Sequence, residues 1–175
     1  MPVTPAFVPQ MLDEYGQMTR AAVDHYLVSG EPKKHLYDLV ADYPARGGKM
    51  MRSGLCIATG KALGARVDEV IGCAAAIELL HNALLIHDDI EDESTTRRGL
   101  PTLHESHGVP LAVNAGDTLT LMSLSPMLDL RHAIGQHLSL RILEDTLRMA
   151  RESAEGQAME LGWRSDNVVD LEDED

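Results

Sequence analysis

Residues 79–108 read LLHNALLIHDDIEDESTTRRGLPTLHESHG, and this stretch decides how the rest of the chain is interpreted. Its first part is apolar enough for a buried helix. Such a helix ordinarily ends in a polar cap followed by a loop. Here, however, five acidic residues fall between positions 88 and 93, and two arginines follow at positions 97 and 98. The pattern indicates a charged site at the end of a core helix.

Outward from this stretch, the chain has the pattern of helices joined by short loops. The segment Val67–Glu93 is apolar nearly all round, which predicts a central, buried helix. The other predicted helices cover Met11–Ser29, Lys34–Asp42, Met50–Leu63, Pro110–Leu128 and Ile134–Gly162, with a loop over Ser94–Pro101. The predicted fold class is therefore all-α, a bundle formed by one domain over residues 1–175.

The composition narrows the range of functions. The net charge of -13 argues against nucleic acid as a partner, because phosphate binding needs a basic surface. No uninterrupted apolar run reaches the roughly 20 residues of a bilayer span, since Glu78 and His81 interrupt the longest one. Cys56 and Cys73 lie in apolar helical stretches and are interpreted as buried thiols, which predicts a reducing, cytoplasmic location.

The acidic cluster has the spacing of a metal site. Asp88 and Asp92 are four positions apart, so a helix places both carboxylates on one face, one turn apart. Hard carboxylate oxygens suit Mg²⁺, which usually binds one or two carboxylates together with substrate phosphates. His81 lies two turns earlier on the same face. The alternatives are a solvated helix end for the two aspartates and an ordinary core residue for His81.

Two groups of cations could complete a phosphate site. Arg97 and Arg98 follow the acidic cluster, and arginine forks match phosphate oxygens, although simple charge compensation would also explain them. Upstream, ARGGKMMR places Lys49 and Arg52 three apart after a Gly-Gly loop. At the start of a helix they are expected on one face, where a diphosphate could bind. A plain turn with surface cations is the alternative.

Taken together, the motifs resemble those of the trans-prenyl diphosphate synthases. The resemblance runs over about residues 45–162 and rests on GGKMMR, ELLHNALLIHDDIEDES, TRRGLPTLHESHG, AVNAGDTL and EGQAME, in that order. It implies an isoprenoid-synthase-type helical bundle and a cytoplasmic homodimer. It also implies that isopentenyl diphosphate is condensed with an allylic prenyl diphosphate after Mg²⁺-assisted loss of the allylic diphosphate.

The resemblance also implies roles for individual residues. Asp88 and Asp92 would bind the Mg²⁺ ions that hold the allylic diphosphate, and Arg97 would contact the same group. The residues that would hold isopentenyl diphosphate are Lys49, Arg52, His81 and Arg98, with Gln157 near the reacting centre.

The same resemblance gives an expectation for product length. The growing chain would extend from Asp88 toward the start of its helix, along the face that carries Leu84 and Ile77. In the family, bulky aromatics four and five residues before the first aspartate stop growth early. Those positions are Leu84 and Ala83 here, which predicts geranylgeranyl diphosphate with a deeper floor at Leu80 or Ile77. The alternative is that Leu84 and Ala83 are ordinary packing residues.

One departure from the family is the absence of its second aspartate-rich motif. Either the sequence is a truncated piece of a longer protein or the protein is a natively short paralogue. The acidic tail DLEDED, typical of a segment that caps a following helix, favours truncation. Two other functions stay open: a non-catalytic partner subunit or inactive fragment, and a class I terpene cyclase. An aromatic content of 3% argues against the cyclase, whose cavity uses aromatics to stabilise cations.

Overall fold

The central element of the fold is one long helix around which the others pack. The computed structural model describes residues 7–168. The acidic tail DLEDED, expected to cap a further helix, lies outside them. The helices are α1 (Phe7–Tyr26), α2 (Asp38–Ala45, preceded by a π-helical turn over Lys33–Tyr37), α3 (Met51–Ala62), α4 (Val67–Glu91), α5 (Leu103–His107), α6 (Val109–Met122), α7 (Leu124–Asp129), α8 (Arg131–Ile134) and α9 (Gln136–Asp166). The predicted all-α fold class is confirmed.

Helix α4 is buried because it is apolar on nearly every side. It packs against α1, α3, α6 and α7. Leu79, Ala83 and Ile86 of α4 meet Ala115 and Leu119 of α6 in the main core. Fully burying a leucine or isoleucine side chain contributes roughly 1.5–3 kcal/mol. These contacts therefore anchor the helix that carries the acidic cluster.

The length and composition of α4 alone would also allow it to cross a membrane. The core helix of a soluble protein meets the same criterion, and 56% of the most apolar part of α4 is buried inside the protein. Cys56 and Cys73, expected to be buried, are half-buried and unpaired. Burial raises the pKa of both thiols.

The segment after α4 differs from the prediction. Ser94–Pro101 was expected to be a loop, but it contains a short antiparallel hairpin of β1 (Thr96–Arg97) and β2 (Leu100–Pro101). Arg98 and Gly99, between the strands, both have positive φ, at 55° and 79°. This is the backbone that tight two-residue hairpins favour. The hairpin turns the chain back toward α2 and fixes the two arginines beside α4.

The last described helix is the least covered. Of the residues of α9, Ser139 is the buried one, and its hydroxyl donates to the Met127 carbonyl at 2.7 Å. Helix α9 packs on α7 and α8 at its start. Further along, its side chains face α4 and close one wall of a cleft. The cleft wall therefore consists of two helices that are far apart in sequence.

Candidate active-site cleft

The acidic cluster lies where an isolated helix would disfavour it. Helix α4 ends at Glu91 with Asp92 as its C-cap. The C-terminus of a helix carries partial negative charge, so carboxylates there are destabilising. Local propensity does not account for this arrangement, and tertiary partners must compensate for it. Side chains from three other parts of the chain supply those partners.

Asp89 is the carboxylate most completely removed from water. It is fully buried and forms a bidentate ion pair with Arg97, whose Nε donates to Oδ1 at 3.0 Å. The Tyr43 hydroxyl donates to the other oxygen at 2.5 Å. Burial, and then this hydrogen bond, raise the pKa of Tyr43. Asp89 therefore holds Arg97 and is not free to bind a ligand, a role that sequence spacing did not reveal.

Asp92 and Glu91 are tied to α9. Arg164 Nη1 donates to Asp92 at 2.6 Å, and its Nη2 donates to Glu160 at 2.7 Å. Gln157 Nε2 donates to Glu91 at 2.8 Å. The family motif predicted Gln157 near the site, but nothing in the sequence predicted Arg164, because a single surface arginine 72 positions from its partner leaves no local pattern.

Asp88 faces the cleft between α4 and α9, which Glu91 also lines. Burial raises its pKa, and the nearby charges of Glu91 and Asp92 raise it further, while Arg97 lowers it. Like charges crowded in this way would be relieved by a cation. The donor chemistry of Asp88 and Asp92, hard oxygens one helical turn apart, therefore fits Mg²⁺. Within residues 7–168, no group of three or more His, Cys, Asp or Glu side chains is arranged to hold a metal, so these two would supply only part of a coordination shell.

A cleft of about 570 Å³ runs from Asp88 along α4, between α4 and α9. The predicted residues Arg52, His81, Leu84, Leu80, Ile77 and Gln157 all line it. Its apolar floor continues on α9 through Met149, Ala154 and Leu161. Charged and aliphatic side chains thus line the same cleft, with Asp88 and Glu91 toward one end of it and Ile77 toward the other.

Ala83, which the family resemblance placed beside the growing chain, does not line the cleft. Its side chain is fully buried in the core against α6. Leu84, the next residue, is 37% exposed and does line it. Successive helical residues are rotated by about 100°, so two adjacent positions cannot share a narrow face.

Two of the predicted cations, Arg52 and Arg98, lie near His81 of α4. Arg52 Nη1 lies 3.5 Å from His81 Nε2. Arg98 Nη1 donates to the Tyr43 carbonyl at 3.0 Å. Burial, and then the charges of Arg52 and Arg98, lower the pKa of His81 to about 4. His81 is therefore a neutral imidazole at neutral pH, which can exchange hydrogen bonds but adds no charge.

Lys49 and Arg52 were expected on one helical face, but only Arg52 lies in a helix. Met50, the N-cap of α3, has φ 49°, so Lys49 lies before the helix on an exposed loop. Gly48 in the same loop packs against the hairpin: a Cβ there would lie 3.1 Å from Arg98 Nη2. The Gly-Gly loop and the arginine pair, 50 positions apart in sequence, are therefore neighbours in space.

Solved structures with the same arrangement of helices are isoprenoid synthases. A geranylgeranyl pyrophosphate synthetase from the archaeon Geoglobus acetivorans matches with a TM-score of 0.81 and 31% identity, over 87% of this chain and 49% of its own. One from Pyrococcus horikoshii matches with a TM-score of 0.80 and 30% identity, over 89% of this chain and 48% of its own. The fold is the all-α fold of isoprenoid synthases.

The family follows from sequence comparison. A family model described as polyprenyl synthetase matches residues 33–174. The geranylgeranyl pyrophosphate synthase of Geoglobus acetivorans is 31% identical over 93% of this chain and 50% of its own. A short chain isoprenyl diphosphate synthase from Methanocaldococcus jannaschii is 39% identical over 68% and 36%. The chain belongs to the polyprenyl synthetase family, and it spans half the length, or less, of these relatives.

Proposed function

We propose that this chain carries active-site residues of a trans-prenyltransferase. That enzyme would condense isopentenyl diphosphate with an allylic diphosphate, and geranylgeranyl diphosphate would be its product. The observation that carries the proposal is the cleft between α4 and α9, in which the charged side chains of Asp88 and Arg52 lie beside the aliphatic side chains of Leu84 and Ile77. Such a cleft suits a ligand with an anionic head and a hydrocarbon tail. The printed names of the relatives support the same substrate class.

The charged end would bind the allylic diphosphate. Asp88 and Asp92 would hold Mg²⁺, which supplies positive charge to the departing diphosphate when it is bound. Asp92 would have to leave Arg164 to do so. Arg97, held by Asp89, would present its remaining N–H groups to the same diphosphate. A fixed cation there stabilises charge that develops as the allylic bond breaks.

The residues around His81 would hold isopentenyl diphosphate. Arg52 and Arg98 contribute charge, Lys49 extends from the adjoining loop, and neutral His81 contributes a hydrogen bond. Holding the second substrate in line with the allylic carbon is a positioning effect. Gln157, across the cleft on α9, would border the reacting centre. The proposed chemistry needs no side-chain nucleophile.

The remaining features of the proposal come from the family. The chain would form one all-α domain, act as a cytoplasmic homodimer and need no membrane span of its own. A terpene cyclase fits less well. Among the described residues, those lining the cleft include no Phe, Tyr or Trp to stabilise a migrating cation.

A non-catalytic partner subunit is the second candidate. It is favoured by the Arg164–Asp92 ion pair, which occupies one of the two proposed metal ligands. Turnover measured with this chain alone, and with the chain mixed with a full-length synthase, separates the two candidates. Product from the chain alone supports the enzyme, whereas altered turnover only in the mixture supports the partner.

Replacing Asp88 by Ala tests the proposed site without requiring turnover. We expect Mg²⁺ to tighten the binding of an allylic diphosphate to the wild-type chain by about tenfold or more. Asp88→Ala should bind the diphosphate with nearly the same affinity with and without Mg²⁺. Isothermal titration calorimetry with dimethylallyl diphosphate measures both. The matched control is Asp145→Ala, an exposed aspartate on α9 that pairs with Arg148. Unchanged Mg²⁺-dependent binding in Asp88→Ala would reject the assignment.

A further inference from the structure

A buried carboxylate inside α4 has no part in the proposed chemistry. Glu78 is only 3% exposed, although it lies one turn before Asn82 in the apolar middle of the helix. The Ser53 hydroxyl donates to its Oε2 at 3.1 Å. The Asn82 amide donates to its backbone carbonyl at 2.8 Å and reaches its Oε1 at 3.5 Å. Burying a charge is costly unless it is hydrogen-bonded and faces an opposite charge.

The opposite charge is Arg98. Its Nη1 donates to the Tyr43 carbonyl at 3.0 Å and to Asn82 Oδ1 at 3.4 Å. Burial lowers the pKa of Arg98, and the charge of Glu78 is the strongest influence in the opposite direction. Glu78 and Arg98 therefore form a pair of charges bridged by one amide.

The amide has a direction. The Nδ2 of Asn82 donates to the Glu78 backbone carbonyl at 2.8 Å and reaches the Glu78 carboxylate at 3.5 Å, so its Oδ1, the acceptor end, faces Arg98. If nothing held the Nδ2, the amide could turn and present a donor to the guanidinium, which would repel it. The Glu78 carboxylate thus adds to the backbone carbonyl in holding the acceptor end of Asn82 toward the arginine.

We propose that Glu78 is a positioning residue which, acting through Asn82, fixes the Arg98 guanidinium at the isopentenyl diphosphate site. The identity of the ligand rests on the proposed function, whereas the placement of Arg98 does not. A cation already held in place loses less conformational freedom when a diphosphate binds. The Gly48 loop, which packs against the same guanidinium, restricts it from the other side.

The sign of one substitution distinguishes positioning from charge. Glu78→Gln keeps the shape of the side chain and removes its negative charge. If Glu78 acted only as a charge, its removal would strengthen binding of an anion at Arg98. If the Glu78 carboxylate positions Arg98, the same substitution weakens binding, because the new side-chain amide can present a donor to the Asn82 amide and loosen its hold on the arginine.

The test uses the whole 175-residue chain and two measurements. The Nε–Hε resonance of Arg98, assigned with Arg98→Lys, reports whether the guanidinium is held. Calorimetry with isopentenyl diphosphate in the absence of metal reports affinity. For Glu78→Gln we expect the resonance to broaden or disappear and the affinity to fall about tenfold, the effect of losing one hydrogen bond to a charged group. Ser53→Ala, a smaller change that removes one donor to Glu78, should give a lesser loss in the same direction. The control is Glu152→Gln on the exposed face of α9.

The outcomes are separable. Equal or tighter binding in Glu78→Gln, with the Arg98 resonance unchanged, overturns the proposal. If Glu78→Gln does not fold, the Ser53→Ala resonance and affinity decide. If the wild-type chain does not bind isopentenyl diphosphate, the proposed function fails, and the Arg98 resonance alone then decides whether Glu78 positions it.

Discussion

At the residue scale, the four carboxylates at the end of α4 have three different environments. Asp88 faces the cleft, Asp89 is fully buried, and Glu91 and Asp92 are tied to α9. Sequence spacing identified Asp88 and Asp92 as a pair on one face. It could not assign Asp89, because Tyr43, one of its two partners, is 46 positions away.

Asp89 should matter more for stability than its neighbours. Asp89→Asn leaves Arg97 without its anionic partner, and breaking a buried ion pair costs roughly 3–5 kcal/mol. Since the Arg97 side chain is 30% exposed, we expect the lower end of that range. Urea unfolding followed by circular dichroism gives the free energy of unfolding. Asp145→Asn, in an exposed pair with Arg148, should change it little. A loss no larger than in this control would contradict the prediction.

His81 should make stability depend on pH. Burial, and then the charges of Arg52 and Arg98, lower its folded-state pKa to about 4, against about 6.5 in the unfolded chain. Between these values the unfolded state binds a proton and the folded state does not. The contribution of neutral His81 to stability is therefore full above about pH 6.5 and is lost as the pH falls toward 4. His81→Asn should flatten this slope in urea unfolding curves measured across the interval.

The matched control for that measurement is His137→Asn on the exposed part of α9. It should leave the slope as in the wild type. Asp88 acts in the opposite sense, because its raised pKa favours the folded state as the pH falls. The difference between variant and wild type therefore isolates His81. Parallel slopes for His81→Asn and the wild type would show that the imidazole titrates normally.

At the element scale, hydrophobic pattern predicted most helices within a few residues, but it could not orient α4. A helix that is apolar on one side shows its buried face in the sequence. Helix α4 is apolar nearly all round, so the pattern could not distinguish Ala83, in the core, from Leu84, on the cleft. The hairpin was missed because its strands have two residues each, too few for an alternating pattern.

Close packing of α4 on α7 depends on a glycine. A Cβ added at Gly72 would lie 2.9 Å from Leu130 Cγ and 3.0 Å from the Pro126 carbonyl oxygen. Gly72→Ala should therefore lower the free energy of unfolding by roughly 1–3 kcal/mol through overpacking. Gly162→Ala on α9, where a Cβ meets nothing within 4 Å, should instead raise it by about 0.5–1 kcal/mol through helix propensity. Thermal unfolding of both variants tests the contrast. An increase in the free energy of unfolding for both variants would show that α7 moves away from α4 easily.

At the scale of the whole molecule, the site is assembled from segments that are remote in sequence. The start of α3, the second half of α4 and the second half of α9 all contribute side chains to one cleft, and the hairpin packs against the end of α4 through Arg97 and Asp89. Family motifs made this assembly predictable from the sequence, since each contributing segment carries one. The ties between α9 and α4 were not predictable, because an exposed ion pair such as Arg164–Asp92 depends on where the helices end up after the core has packed.

The length of the cleft gives the last prediction, on the hydrocarbon tail. Asp88 and Ile77 are eleven residues apart on α4, about 16 Å at helical rise, and Leu84 lies between them on the cleft floor. Leu84→Trp should obstruct a long tail beyond the first turn and leave a short one untouched. With Mg²⁺ present, we expect calorimetry to show about a tenfold or greater loss of affinity for farnesyl diphosphate and little change for dimethylallyl diphosphate. Ala83→Phe is the contrasting variant: its side chain enters the core against α6, so it should lower the free energy of unfolding, by roughly 1–3 kcal/mol, instead of selecting tail length. Equal losses for both ligands in Leu84→Trp would mean that the tail leaves α4 before it reaches Leu84.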